Sequence, residues 1–345
     1  MIAHQDISIV FQGKFPSVNS KDYQLCVANI IQARHILPGS PVLLGTWDGC
    51  EVPRHLGIDH IVFSKDPGSL PSFKKNTPLI KNNINRQIFS SARILKDVNT
   101  KYTIKLRLDC VLRHHEFFDY YAQYGKTSAG EERIAVPSFF TIDPRMYEQM
   151  PFHISDWFSF GPTRKLQKIW SAPLMTVDDA TYYDRHLPAS HSSYFDKLFR
   201  SRLAIEQHIA TYYANALNYK TPVYHNDNSA EVLADHDKFS VRELLILDTD
   251  QFGIDCMKYQ KVTKSSFQKL NCLMFLDWYL LNAADDCKFP VNEMIYQTAL
   301  RRMLMKKAMR AVKKYIDPMM PIIRQPLIKL SLSKTLRTAI WLSNR

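Results

Sequence analysis

The sequence predicts an α/β protein built on a mostly parallel central sheet flanked by helices. Three observations lead there. Short apolar runs at Asp6–Gly13, Val42–Trp47, His60–Phe63 and Tyr102–Leu106 alternate with segments of helical spacing at Tyr23–Leu37 and Asn83–Val98, the pattern of right-handed βαβ units. The runs end in polar groups, among them Gln12-Gly13, Thr46-Trp47 and Arg107-Leu108-Asp109, and open α/β sheets bind ligands outside the carboxyl ends of their strands. The length, 345 residues with 46% hydrophobic side chains, is enough to bury one large core with an appendage.

Taken in order, Asp6–Gly13 reads as a first strand with a ligand-facing turn, and the helix from Tyr23 stops before Pro38. Val42–Trp47 and His60–Phe63 follow as strands, the latter running into the turn cluster Ser64-Lys65-Asp66-Pro67-Gly68. The helix Asn83–Val98 places Ile84, Ile88, Ala92 and Leu95 on roughly one face and feeds the strand Tyr102–Leu106. Beyond Asp109 we expect a helix over His114–Tyr124, a strand over Arg133–Thr141, an aromatic and polar stretch Pro151–Gly161, and helices over Arg164–Trp170 and Arg202–Leu217. Asn218–Asp237 reads as irregular and Phe239–Leu247 as a strand, with helices over Lys264–Ala284 and Val291–Ile316. Residues 1–260 form the expected catalytic body, and residues 261–345 a helical, basic C-terminal region.

Composition removes several function classes. No dinucleotide-binding or P-loop glycine motif is present among only 10 glycines. The six cysteines include no C-x-x-C pair, so neither a zinc site nor a disulfide framework is expected, and a reducing cytoplasm is the default compartment. The N-terminus lacks the pattern of a signal peptide, and no apolar run is long enough to span a bilayer. The net charge of +12 is concentrated: Arg301–Arg345 holds twelve Lys/Arg against one acid, Asp317. Arg302, Lys306, Arg310, Lys313 and Lys314 form a basic stripe, and Leu327–Leu342 alternates apolar and basic residues up to Trp341. This pattern reads as an anchor on an anionic membrane surface. Nucleic acid is the disfavoured partner, because no aromatic stacking platforms interleave with the charge.

Several groups could carry chemistry. Asp109, at a strand end, offers a hard oxygen to a divalent cation, and Arg107 a bidentate fork to phosphate; the competing role for Asp109 is a helix cap. Asn82, Asn83, Asn85, Arg86 and Gln87 crowd a helix N-terminus with hydrogen-bonding groups, where capping is the simpler role. His153 and Asp156 flank Ser155 beside Trp157 and Phe158, and partial burial would suit Asp156 to accept a proton. Glu206 lies on an amphipathic helix, where a carboxylate is usually solvated, and His225 could supply a late metal ligand from a polar loop. His114-His115-Glu116 lacks a third ligand at metal spacing.

DISIVFQG, VLLGTWDG, SKDPG, NNINRQIFSSARIL, TKYTIKLRLD and PFHISDWFSFG, with the Glu206-Gln207 helix, occur in this order over roughly residues 5–215. In these segments the chain resembles the WavE family of lipopolysaccharide-synthesis proteins. The resemblance implies a bacterial glycosyltransferase with a GT-A-like nucleotide-diphospho-sugar transferase fold. Enzymes of that fold end the central strand in an Asp-x-Asp that binds metal and diphosphate; here Arg107 replaces the first acid and Asp109 remains. The implied donor is a nucleotide-sugar, framed by Gln12, Gly13, Thr46 and Trp47 and reached by Asn85, Arg86, Arg107 and Asp109. A Mg²⁺ or Mn²⁺ ion at Asp109 is the implied cofactor, with Arg107 able to replace part of the cation's role. Asp156 would deprotonate the hydroxyl of a glycan or lipid-linked glycan acceptor, with His153 positioning it and Glu206 and His225 as additional candidates. The expected location is the cytoplasmic face of the inner membrane. The rival expectations are a non-catalytic scaffold that keeps the fold and a phosphosugar transferase.

Overall fold

Our computed structural model describes residues 2–76, 79–285 and 291–316. Strands β1 (Ile7–Gln12) and β2 (Val42–Trp47) are buried at every position, as strands covered on both faces must be. With β3 (His60–Ser64), β4 (Tyr102–Arg107), β6 (Ile134–Pro137), β7 (Phe158–Pro162) and β8 (Leu244–Leu247) they form a seven-stranded sheet ordered β3-β2-β1-β4-β7-β6-β8. All neighbours run parallel except β7, which is antiparallel to both β4 and β6. A second, two-stranded sheet pairs β5 (Cys110–Leu112) with β9 (Ile254–Cys256). The expected mixed α/β architecture with a mostly parallel central sheet and flanking helices is present.

Register places the site. Gln12 pairs with Gly45 on one side and with Arg107 on the other, so the carboxyl ends of β1, β2 and β4 lie level. Gly13 then takes φ +137, a conformation open to glycine, and turns the chain at the sheet edge. Helix α1 (Tyr23–Ile36) and helix α2 (Ile84–Leu95) precede β2 and β4. Helix α2 buries Ile84, Ile88, Ile94 and Leu95. It seats closely on β2 because residue 45 is glycine: a Cβ there would meet Ile94 and the Ser90 carbonyl at 3.0 Å, and overpacking of that kind is destabilising.

The next elements are α3 (Phe117–Tyr124), α4 (Thr163–Ile169), α5 (Ile205–Ala216), α6 (Ala230–Arg242), α7 (Phe275–Ala284) and α8 (Glu293–Ile316). Three local expectations are corrected. Asn218–Asp237 is not irregular throughout: α6 begins at Ala230 and runs through the start of the expected strand, which shortens to Leu244–Leu247. Val232, His236, Phe239, Ser240 and Val241 are its buried positions, a helical period hidden by its polar members. Phe158–Pro162 is a strand within the aromatic stretch. The helix expected over Lys264–Ala284 breaks at Cys272–Met274, where Leu273 N–H donates to Thr141 O at 2.8 Å and Asp277 accepts from Met274 N–H at 3.0 Å.

The basic stripe is also corrected, because much of it points inward. Lys306 is 2% exposed; its Nζ donates to Asp143 at 2.9 Å, Asp277 at 2.8 Å and Cys272 O at 2.9 Å. Arg302 pairs with Asp277 at 2.9 Å, and Lys313 donates to Met146 O at 3.1 Å. These partners lie far off in sequence, so spacing along α8 could not reveal them. The outer face of α8 instead exposes Leu304, Met305 and Val312 with Arg301 and Lys307. The side chain of Lys314 and the stretch Leu327–Leu342 lie outside the described residues. Among the described residues, no helix is long and apolar enough to cross a membrane.

Replacing Lys306 with Met leaves Asp143 buried without its cation. Loss of one partner from a buried pair costs about 3–5 kcal/mol, so denaturant unfolding of Lys306→Met should show a loss of that order. A loss below about 1 kcal/mol would mean that the contact does not hold α8 to the body.

Candidate functional site

A cleft of about 1010 Å³ opens at the carboxyl ends of β1, β2 and β4. Six of the residues expected there line it: Gln12, Gly13, Trp47, Arg86, Arg107 and Asp109. The backbone beneath Asp109 is fixed by Asn29 of α1, whose buried amide donates to Leu108 O at 2.8 Å and Cys110 O at 3.1 Å. Asn29 carries no motif, and its role was not visible in the sequence.

Arg107 is the hub. Its Nε and Nη2 donate to the two oxygens of Asp109 at 2.9 and 2.8 Å, a bidentate fork. Its Nη1 reaches back to Asp156 at 3.4 and 3.5 Å. Burial works against the guanidinium charge, but Asp156 and then Asp109 outweigh it and hold the Arg107 pKa well above its ordinary value. For Asp109, burial raises the pKa, yet the charge and hydrogen bonds of Arg107 overcome it and leave the carboxyl below the usual range. Behind this group lies Lys105, fully buried, donating to Asp156 O at 2.8 Å with its ammonium 4.0 Å from the Trp170 ring centroid. Burial pulls its pKa down to about 8.

The expected acceptor-side residues sit deeper. The Asp156 side chain is only 2% exposed and does not line the cleft. With Ser155, Ser159 and Glu206 it borders a separate cavity of about 20 Å³, and the Ser155 and Ser159 hydroxyls have no hydrogen-bond partner among the described residues. Apolar side chains, among them Ile134, Val136, Ile154 and Ile209, supply most of the cavity wall. Glu206 is mostly withdrawn from solvent, with 21% of its side chain exposed, and is paired: its carboxylate lies 3.3 Å from His153 Nε2, while His153 Nδ1 hydrogen-bonds Phe140 O at 2.7 Å. Burial disfavours charge on both partners, but Glu206 raises the His153 pKa and His153 lowers that of Glu206.

Three expected site residues have structural partners instead of a place in the cleft. Thr46 Oγ1 accepts from Phe15 N–H at 3.0 Å and anchors the chain after β1. Asn85 clamps the Met175 backbone through bonds of 3.0 and 2.8 Å. His225 is fully buried, stacked on Phe199 at 4.3 Å, and burial drives its pKa down to about 3. The cleft also contains residues that the sequence reading did not single out: Lys14, Lys21, Asp22, Asp66 and Lys258. Asp66 was within reach, since it sits in the turn after β3; it pairs with Arg86 at 2.7 Å.

Asp109 offers little to a hard cation. Its carboxylate and the thiols of Cys110 and Cys256 lie within 4.8 Å of one another, with Cys110 opposite Cys256 in the β5–β9 pair. Mg²⁺ and Mn²⁺ favour oxygen ligands over thiols, and both oxygens here already serve Arg107. A dication about 4 Å from that guanidinium would meet repulsion on the order of 8 kcal/mol at an effective dielectric of about 20. The residues present do not fit the implied Mg²⁺ or Mn²⁺ ion.

The His153–Glu206 pair imposes a pH signature. The raised His153 pKa contributes stability that is full below the ordinary 6.5 and is lost as pH rises through the folded value. The lowered Glu206 pKa contributes stability that is full above the ordinary 4.5 and is lost as pH falls through the folded value. Unfolding measured across pH should therefore show the largest difference between the wild type and Glu206→Gln between 4.5 and 6.5. A difference independent of pH would mean that the pair is not ionised.

No curated protein matches this chain. A family model described as WavE lipopolysaccharide synthesis matches residues 7–316, from the first residue of β1 to the last of α8. The match takes in every strand around the cleft and both C-terminal helices; the chain belongs to the WavE lipopolysaccharide synthesis family.

Proposed function

We propose that the protein is a glycosyltransferase of GT-A-like fold that moves a sugar from a nucleotide-sugar to a lipopolysaccharide, capsule or other surface-glycan acceptor. The observation that carries this reading is the cleft at the carboxyl ends of β1, β2 and β4, with the Arg107–Asp109 fork facing it. Family membership supports a role in lipopolysaccharide synthesis. In this reading Trp47, Gln12 and Gly13 frame the nucleotide, and the Arg86–Asp66 pair lies toward the ribose. Arg107 faces the diphosphate. Asp156 acts as base once donor phosphate draws Arg107 from it; until then it holds the guanidinium in place. The occupied Asp109 favours one rival, a non-catalytic scaffold that keeps the fold.

A thermal-shift screen with UDP-, GDP-, CMP- and dTDP-sugars separates the two. A donor at 100 times its Kd stabilises the fold by about 2.7 kcal/mol, so one nucleotide class should raise Tm clearly. Transfer to a glycan acceptor, followed by mass spectrometry, should give a glycosyl adduct; a phosphoglycosyl adduct would favour the phosphosugar transferase. Asp156→Asn should keep donor binding while lowering kcat by at least about 100-fold, the scale of general-base catalysis. Unchanged turnover would remove Asp156 from the mechanism.

Membrane-surface association is the second part of the proposal. Its support within the described residues is the outer face of α8, where Leu304, Met305 and Val312 are exposed beside Arg301 and Lys307. Leu304→Glu with Met305→Glu should reduce flotation with anionic liposomes and leave Tm unchanged. Undiminished flotation would exclude this face as the contact.

A further inference from the structure

We propose that the cleft neutralises a diphosphate with its own cations, Lys14, Lys21, Lys258 and Arg107, and binds it without a divalent cation. The proposal rests on the donor-cleft reading and assigns the chemistry of its anion subsite.

The charge balance of the lining comes first. Five cationic side chains, Lys14, Lys21, Arg86, Arg107 and Lys258, face three acids, Asp22, Asp66 and Asp109, a surplus of two positive charges. The diphosphate of a nucleotide-sugar carries about two negative charges, one for each diesterified phosphate. The lining therefore matches the ligand as it stands, and a bound dication would leave it with an excess.

The pairing within the lining points the same way. Asp66 is engaged by Arg86 and Asp109 by Arg107. Lys14, Lys21 and Lys258 form no ion pair among the described residues, although all three are exposed at the cleft. They converge from three places: Lys14 follows the Gly13 turn, Lys21 precedes α1, and Lys258 follows β9. Lysines brought to one cleft from positions 14, 21 and 258 act as point charges that can close on an arriving phosphate. Arg107 differs from them. Its side chain is 17% exposed and held on two carboxylates, so its charge is already placed at the sheet end before a ligand arrives.

The test is calorimetric titration of the intact protein with inorganic pyrophosphate and with UDP, GDP, CDP and dTDP, in EDTA and again in excess Mg²⁺ or Mn²⁺. We expect at least one of these ligands to bind in EDTA within about twofold of its affinity with metal. Lys14→Ala and Lys258→Ala should each weaken that binding by about three- to tenfold, and the salt dependence should become shallower. Both lysines are exposed, so unchanged melting temperatures will show that the variants fold. Binding that requires the metal, or that tightens more than tenfold with it, overturns the proposal and leaves the donor cleft standing. Lysine variants that bind as the wild type does also overturn it. Pyrophosphate binding in EDTA with no nucleotide bound supports the anion subsite and sinks the donor reading. No binding of any ligand in either condition sinks both.

Discussion

One guanidinium organises this protein's functional end. Arg107 is the last residue of the central parallel strand β4, shared between Asp109, which faces the cleft, and Asp156, which is buried behind it. The arrangement depends on the neighbour of β4. Because β7 runs antiparallel to β4, the segment entering β7 passes beside the carboxyl end of β4, and Arg107 N–H donates to Trp157 O at 3.2 Å. A parallel neighbour would bring the opposite end of its strand there. Strand direction thus sets which carboxylate Arg107 meets, and desolvation then makes the ion pairing matter more than it would at the surface.

The cleft and the interior behind it have different electrostatic characters. On the open side, five lysine and arginine side chains outnumber three acids. On the closed side, Lys105, Asp156, His153 and Glu206 form a compact set in which each buried charge has a partner. Among the described residues, Arg107 is the only side chain that touches both sets through ion pairs, at Asp109 and Asp156. Arg107 is thus where the open and the closed side meet.

Much of the sheet was legible because parallel strands are continuous apolar runs and their carboxyl ends end in polar residues. Gln12, Gly13, Trp47, Arg107 and Asp109 lie in the cleft as strand-end residues, and Arg86 reaches it from the first turn of α2. Thr46 and Asn85 sit at equally suggestive positions, but their hydrogen-bonding capacity is used by the Phe15 and Met175 backbones, and no local signal separates a polar side chain that binds ligand from one that binds the chain. The Glu206–His153 pair and the Cys110–Cys256 pairing were illegible for a simpler reason, since each joins residues from segments far apart in sequence. The inward turn of Lys306 is the same case: α8 reads as a basic stripe until Asp143 and Asp277 are set against it.

The Lys306–Asp143 contact has a consequence for how the chain is made. It closes a loop of 163 residues, whereas β1, β2, β3 and β4 pair with one another within the first 107. Chains emerging from a ribosome fold from the N-terminus onward, and contacts of long sequence separation form late. The strands beneath the cleft can assemble while α8 is still being translated, and the buried cation that secures that helix is the final fastening. A chain that ends before residue 306 holds Asp143 without that counter-charge, and an unpaired buried charge of this kind destabilises a fold.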